Sequence, residues 1–135
     1  MTFSTRFWAK LSTDEFATRL STGAAADVVA VLPVAATEQH GPHLPLSVDV
    51  DLVDGIVAAS LPHLPQSLPV LFLPTQTLGL SSEHLNFAGT LSLSPETIIR
   101  TWVEIGAAVA RAGVKKLVLF NSHGGNVAVM DIVAR

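Results

Sequence analysis

Cysteine is absent from the 135 residues, which excludes a disulfide framework and any thiolate metal site. Charge is scarce as well: 14% of residues are Asp, Glu, Lys or Arg, against about 25% in an ordinary soluble domain. No basic excess exists either. The net charge is −3 and the pI about 5.9, which weighs against nucleic acid as the main partner. Long hydrophobic runs are also missing. A spanning helix needs about 20 nearly uninterrupted apolar residues. The longest run here, Val28 to Ala36, is closed by Asp27 and Thr37 and has Pro33 inside. The opening string MTFSTRFWAKLSTDEF has no apolar h-region and no small-residue cleavage site, so a cytoplasmic protein without a membrane partner is expected. With membrane burial set aside, the shortage of charge points to a large subunit contact or to a segment continuing beyond Arg135.

What remains is 49% hydrophobic, enough at this length for one domain with a sizeable core. Apolar runs alternate with helical patterns along the chain. Ser12 and Glu15 sit at capping-box spacing, with Leu11 and Phe16 placed as a hydrophobic staple, and Gly23 is a stop. Val28–Val34 is rich in β-branched residues without alternation, as in a strand buried on both faces. Leu52, Val53, Ile56 and Val57 then recur at helical spacing, with Asp49 or Asp51 near the helix start. Pro62, Pro65 and Pro69 punctuate a connection to a second short strand, Val70–Leu73. Ser94-Pro95 opens the clearest helix, whose stripe is Ile98, Trp102, Ile105 and Val109, ended by Gly113. Leu117–Phe120 is a third strand, and a helix begins at Asn126. This order predicts an α/β fold, a three-layer sandwich with a mostly parallel sheet, in a single domain over residues 1–135.

In open α/β sheets ligands bind outside the carboxyl ends of the strands, and the polar residues gather there. Thr37-Glu38-Gln39-His40-Gly41-Pro42-His43 and Asp49 follow the first strand, Glu83 and His84 the second, and Asn121-Ser122-His123-Gly124-Gly125-Asn126 the third. His63, in the proline-rich connection, is expected to be a solvated surface residue. Glu38 and His40 are two apart, so in extended backbone both side chains point the same way. Asp49 is expected to arrive from the loop leading into the next helix, and His123 from a neighbouring strand end. Carboxylate plus imidazole without thiolate suits Zn²⁺, Mn²⁺ or Fe²⁺. Two acids and two histidines exceed the three protein ligands of one open catalytic metal, and a carboxylate shared by two metals would account for the surplus. Gly124-Gly125 fits either an ordinary strand-to-helix turn or a close approach of backbone N–H groups to a substrate. No G-x-S-x-G elbow supports Ser122 as a nucleophile, and H-E-x-x-H, Walker and G-x-G-x-x-G patterns are lacking.

LPVAATEQHGPHLPLSVD, SSEHLNFAGT and LVLFNSHGGN, in that order over roughly Val28 to Met130, resemble the creatininase (creatinine amidohydrolase) family. The resemblance implies a three-layer α/β sandwich and a dinuclear metal amidohydrolase, often hexameric. It implies that Glu38 binds one metal and His40 the other, that Asp49 bridges them, and that His123 completes the Glu38 site. His84 and Asn126 are expected to line the substrate pocket. The reaction implied is hydrolysis of a cyclic amide or formamide, creatinine-like, by water activated between two divalent metals.

The sequence departs from the family pattern in places. Creatininase itself has a glutamate, a second-metal ligand, where Gly125 stands. Relatives with a glycine there draw a glutamate from a later segment like His-Ala-Gly-x-x-Glu-Thr-Ser, which also carries the catalytic histidine and would lie beyond Arg135. Ala88 replaces the usual proline before Gly89-Thr90, and Ala35-Ala36 the usual Gly-Ser. The competing expectation is a truncated, catalytically incomplete member that serves as a binding or assembly module.

Overall fold

The computed structural model describes residues 3–135; Met1 and Thr2, counted in the expected domain, lie outside the described residues. Helix α1 spans Thr13–Ser21. The Ser12 hydroxyl accepts from the Glu15 N–H while the Glu15 carboxylate accepts from the Ser12 N–H, closing the expected capping box. Gly23, at φ 74°, ends the turn after it in the left-handed region that favours glycine.

Strand β1, Val29–Val34, is the centre of a three-stranded sheet. It pairs in parallel with β2, Val70–Phe72, on one side and with β3, Lys116–Asn121, on the other. Val29 stands opposite both Val70 and Lys116, and the β3 pairing runs on to Val34 opposite Asn121. A proline inside a central strand removes a ladder donor, and β1 carries Pro33. The odd-numbered backbone of β1 faces β2, as the bonds from Leu73 N–H to Val31 O and Gln76 N–H to Pro33 O show. The missing donor therefore falls just beyond Phe72, where β2 has ended.

Side chains alternate across the sheet, and β1 packs on both faces while β3 stays partly open. Ala30, Leu32 and Val34 pack with Leu71 against α3, Pro95–Arg111, and α4, Val127–Ala134, through Ile98, Trp102, Val109 and Val129. Val29 and Val31 pack on the other face with Val70, Phe72, Phe120 and Val57 of α2, Val48–Ser60. The three layers expected from the strand and helix order are present. The α3 stripe also holds: Ile98, Trp102 and Val109 are buried and Ile105 half-buried, with Ser94 capping the Thr97 N–H. In α2 the pattern separates. Val53 and Val57 face the sheet, whereas Leu52 and Ile56 are each about half exposed (53% and 52%). Among the described residues no helix is long and apolar enough to cross a membrane.

The chain leaves β1 through α2 to β2 on one side, then crosses through α3 to β3 on the other. Strand order thus reverses at β1. The crevice beyond the carboxyl ends of β1 and β3 is the switch point where such sheets hold ligands.

Candidate metal centre

Thr37 to His40 follow directly on β1, and backbone bonds fix their course. The Glu38 N–H donates to Leu46 O, Leu91 N–H donates to Thr37 O, and the Gln39 N–H donates to the Thr90 hydroxyl. Glu38 and His40 consequently point into the same space, with Glu38 Oε1 3.9 Å from His40 Nε2. His123 comes from the end of β3. Asn121 holds it from both sides, its Oδ1 accepting the His123 N–H and its amide donating to His123 O. Asp49 lies in the first turn of α2 rather than in the loop before it, a correction to the expected placement. Its side chain is anchored indirectly: the Ser122 hydroxyl donates to Asp49 O at 2.8 Å, tying the start of α2 to the end of β3. That bond, rather than nucleophilic chemistry, is what Ser122 does.

The four residues converge. His123 Nδ1 is 3.3 Å from Glu38 Oε1 and 3.0 Å from Asp49 Oδ2, while His40 Nε2 is 3.3 Å from Asp49 Oδ1. Each imidazole has its far nitrogen occupied by a backbone carbonyl, which can only accept. His40 Nδ1–H donates to Glu38 O at 3.1 Å, and His123 Nε2–H donates to Leu80 O at 2.9 Å. In the neutral rings, the nitrogens aimed at the carboxylates are therefore lone-pair acceptors, the orientation that ligating histidines require. Four acceptors thus face one another in a nearly closed space. Glu38, Asp49 and His123 are all buried, and Glu38 Oε2 and Asp49 Oδ2 have no hydrogen-bond partner. Buried anions without partners are costly unless paired with cations. The donor set fits divalent metal.

Other residues have different parts. The Gln39 carbonyl accepts the Gly41 N–H, so its amide donates to His84 Nδ1 at 2.9 Å and leaves the proton of a neutral His84 on Nε2. That Nε2–H lies 3.8 Å from Glu38 Oε1 at the partly open side of the cluster. Asn126, expected to line the pocket, is fully enclosed. Its Oδ1 accepts the Leu80 N–H, and its amide donates to Ala35 O and Asn121 Oδ1. Every bonding atom is spent on tying three loops together, so its contacts are structural. His63 is exposed, as expected. Gly125 is a close-packing glycine: a Cβ there would overlap Leu80 O. Sequence reasoning passed over Ser81, buried with its Oγ 3.3 Å from His123 Nε2, and the Leu80 carbonyl. A serine in a polar loop carries no pattern, and a backbone carbonyl belongs to every residue type.

Fold and site together define an α/β protein with a carboxylate–imidazole metal-type centre at its sheet switch point. The sequence profile of the creatininase family, described as creatinine amidohydrolase, matches residues 9–135. The chain belongs to that family. It is 38% identical over 106 residues to a mycofactocin precursor peptide peptidase of Mycobacterium tuberculosis (strain CDC 1551 / Oshkosh), covering 74% of this chain and 42% of the relative. It is 34% identical over 125 residues to the creatinine amidohydrolase of Pseudomonas putida, covering 89% and 45% respectively. A solved mutant creatininase of Zn-Zn type superposes with a TM-score of 0.79 at 30% identity, over 98% of this chain and 52% of that one. The chain spans about half the length of the curated relatives it matches.

Proposed function

We propose that the protein is a metal-dependent amidohydrolase with two divalent cations, Zn²⁺, Mn²⁺ or Fe²⁺, on either side of the Asp49 carboxylate. The observation that carries this reading is the arrangement about Asp49. Its two oxygens each face the lone-pair nitrogen of a different imidazole, at 3.3 and 3.0 Å, which is the shape of a bridging carboxylate. Glu38 and His123 form one ligand set, and His40 the start of the other. When bound, such a pair lowers the pKa of a water and polarises a carbonyl.

The chain's own residues supply the setting for that chemistry. Burial of Glu38, Asp49 and His123 keeps bulk water from the carboxylates and strengthens every charge interaction there. Leu80 O and Glu38 O hold the two imidazoles in their working tautomers. His84 presents Nε2–H, fixed by Gln39, as a donor to the amide oxygen or the leaving nitrogen of a substrate. The substrate class is a small cyclic amide or formamide, creatinine-like, and the peptidase relative makes a peptide amide the alternative to test. A homo-oligomer, hexameric as the family implies, agrees with the exposed Leu52, Ile56 and Val118 and with the low charge content. Residues 1–135 count as one domain, and the cytoplasm as its place.

Elemental analysis of the purified protein, with assays on creatinine, a formamide and a peptide, tests the reading. Two ions per chain and turnover of one of these amides, both lost in Asp49→Asn, are expected. Metal content unchanged in Glu38→Gln and in His40→Ala overturns it.

A further inference from the structure

Beside the cluster, the short turn Ser82–His84 carries Glu83. Its carboxylate makes no hydrogen bond or ion pair with the described residues, yet one oxygen lies within 4.8 Å of ligand atoms of both Glu38 and His123. Gly125 explains how it comes so near. The point where a Cβ would stand on Gly125 is 3.2 Å from Glu83 Oε1 and 2.5 Å from His123 Nε2. The Glu83 carboxylate therefore borders the space that a side chain at position 125 would fill. Glu38 Oε2, buried and without a hydrogen-bond partner, supplies an independent sign that the cluster faces a cation.

We infer that Glu83 is a fourth protein ligand of the cation at Glu38 and His123, an inference that rests on the dinuclear reading above. Charge balance supports it. Two divalent ions bring four positive charges, of which Glu38 and Asp49 cancel two; a third carboxylate leaves a single charge for a bound hydroxide to offset. Buried charge is tolerated in proportion to such pairing. The consequence is two unequal positions. The ion at Glu38 and His123 then gains a further ligand from the exposed Glu83, whereas the ion at His40 has from these residues only that imidazole and the shared Asp49. The first holds its metal tightly, and the second exchanges it and receives the substrate amide.

Equilibrium dialysis of the chelator-stripped protein against buffered Zn²⁺, repeated with Co²⁺ for its absorption spectrum, tests this in wild type, Glu83→Gln and the remote control Glu104→Gln. Removing even an outer partner of a metal ligand costs roughly 10- to 100-fold in affinity, so Glu83→Gln should weaken the tight class by at least that much. It should also change the Co²⁺ spectrum and leave the weak class alone, while the metal-free protein keeps the wild-type circular dichroism. Zn²⁺ affinity in Glu83→Gln within threefold of wild type overturns the inference while the dinuclear reading stands. A wild-type protein that takes up no metal ends both.

Discussion

Replacing Asp49 with asparagine should raise stability without metal and lower it with metal. Ligand atoms of Glu38 and Asp49 lie within 4.8 Å of each other, and at an effective dielectric near 20 two unit charges at that separation repel by about 3.5 kcal/mol. Both side chains are almost wholly buried, 6% and 8% exposed, so solvent screening removes little of this. Asparagine keeps the size, removes one charge, and offers an N–H to an imidazole nitrogen that now faces only acceptors. Metal-free Asp49→Asn should therefore be more stable than metal-free wild type by about 3 kcal/mol. For a chain of this length that corresponds to a melting temperature higher by roughly 10 °C.

Metal reverses the order. An ion present at 1,000 times its Kd adds about 4 kcal/mol to the folded state, and the proposed site places two such ions on Asp49. Asp49→Asn loses the shared ligand and most of that gain. Thermal unfolding in chelator and in excess Zn²⁺ reads both halves of the crossover. If Asp49→Asn melts below wild type in chelator and both proteins gain equally from Zn²⁺, the site is not a cation site. Asp49 would then be an ordinary helix-start residue.

Two further outcomes follow from single contacts. Gly125→Ala drives a methyl group into Leu80 O and against His123; overpacking of this kind costs about 1–3 kcal/mol, and urea unfolding should show that loss together with weaker Zn²⁺ uptake. Glu15 is held below the usual carboxylate range, first by the hydroxyl of Ser4 and then by the Ser12 backbone N–H. Its contribution to stability is present above the unfolded-state value and lost as pH falls through the lowered one. Glu15→Gln should therefore flatten the acid side of a stability–pH curve measured by urea unfolding, and an unchanged acid limb would show that the capping box is idle.

Local signals were the legible part of the fold. Ser12 with Glu15, Ser94 with Pro95, and the positive-φ Gly23 and Gly113 mark helix ends because caps are made by particular side chains at fixed offsets. Strand β1 was legible because it packs on both faces, whereas β3, which holds no buried residue and exposes Val118, was legible only as a short apolar run. Less legible was α2. Its apolar spacing shows that a stripe exists but not how wide the covered part is, so Leu52 and Ile56 look equivalent to Val53 and Val57 until the packing separates them. Asp49 was expected both near the helix start and in the loop before it, because aspartate is favoured in both places; it lies in the first turn of α2.

The candidate site divides along another line, between the atoms that face one another in the cluster and the atoms that hold them in place. Glu38, His40 and His123 were legible from residue type, i,i+2 spacing and position past a strand end. Nothing in those signals says which ring nitrogen faces inward. That choice is made by Glu38 O and Leu80 O, and Leu80 is itself held by the Oδ1 of Asn126. Asn126, expected at the substrate pocket, thus touches the cluster through two bonds, from Asn126 to Leu80 and from Leu80 to His123. Low charge acquires a local meaning in the same way. In a chain with few charged groups, two carboxylates are buried within 4.8 Å of each other, an arrangement that costs stability by itself. The fold tolerates it only if the cost is returned by cations, so the metal-free protein should be the strained state and the loaded protein the relaxed one.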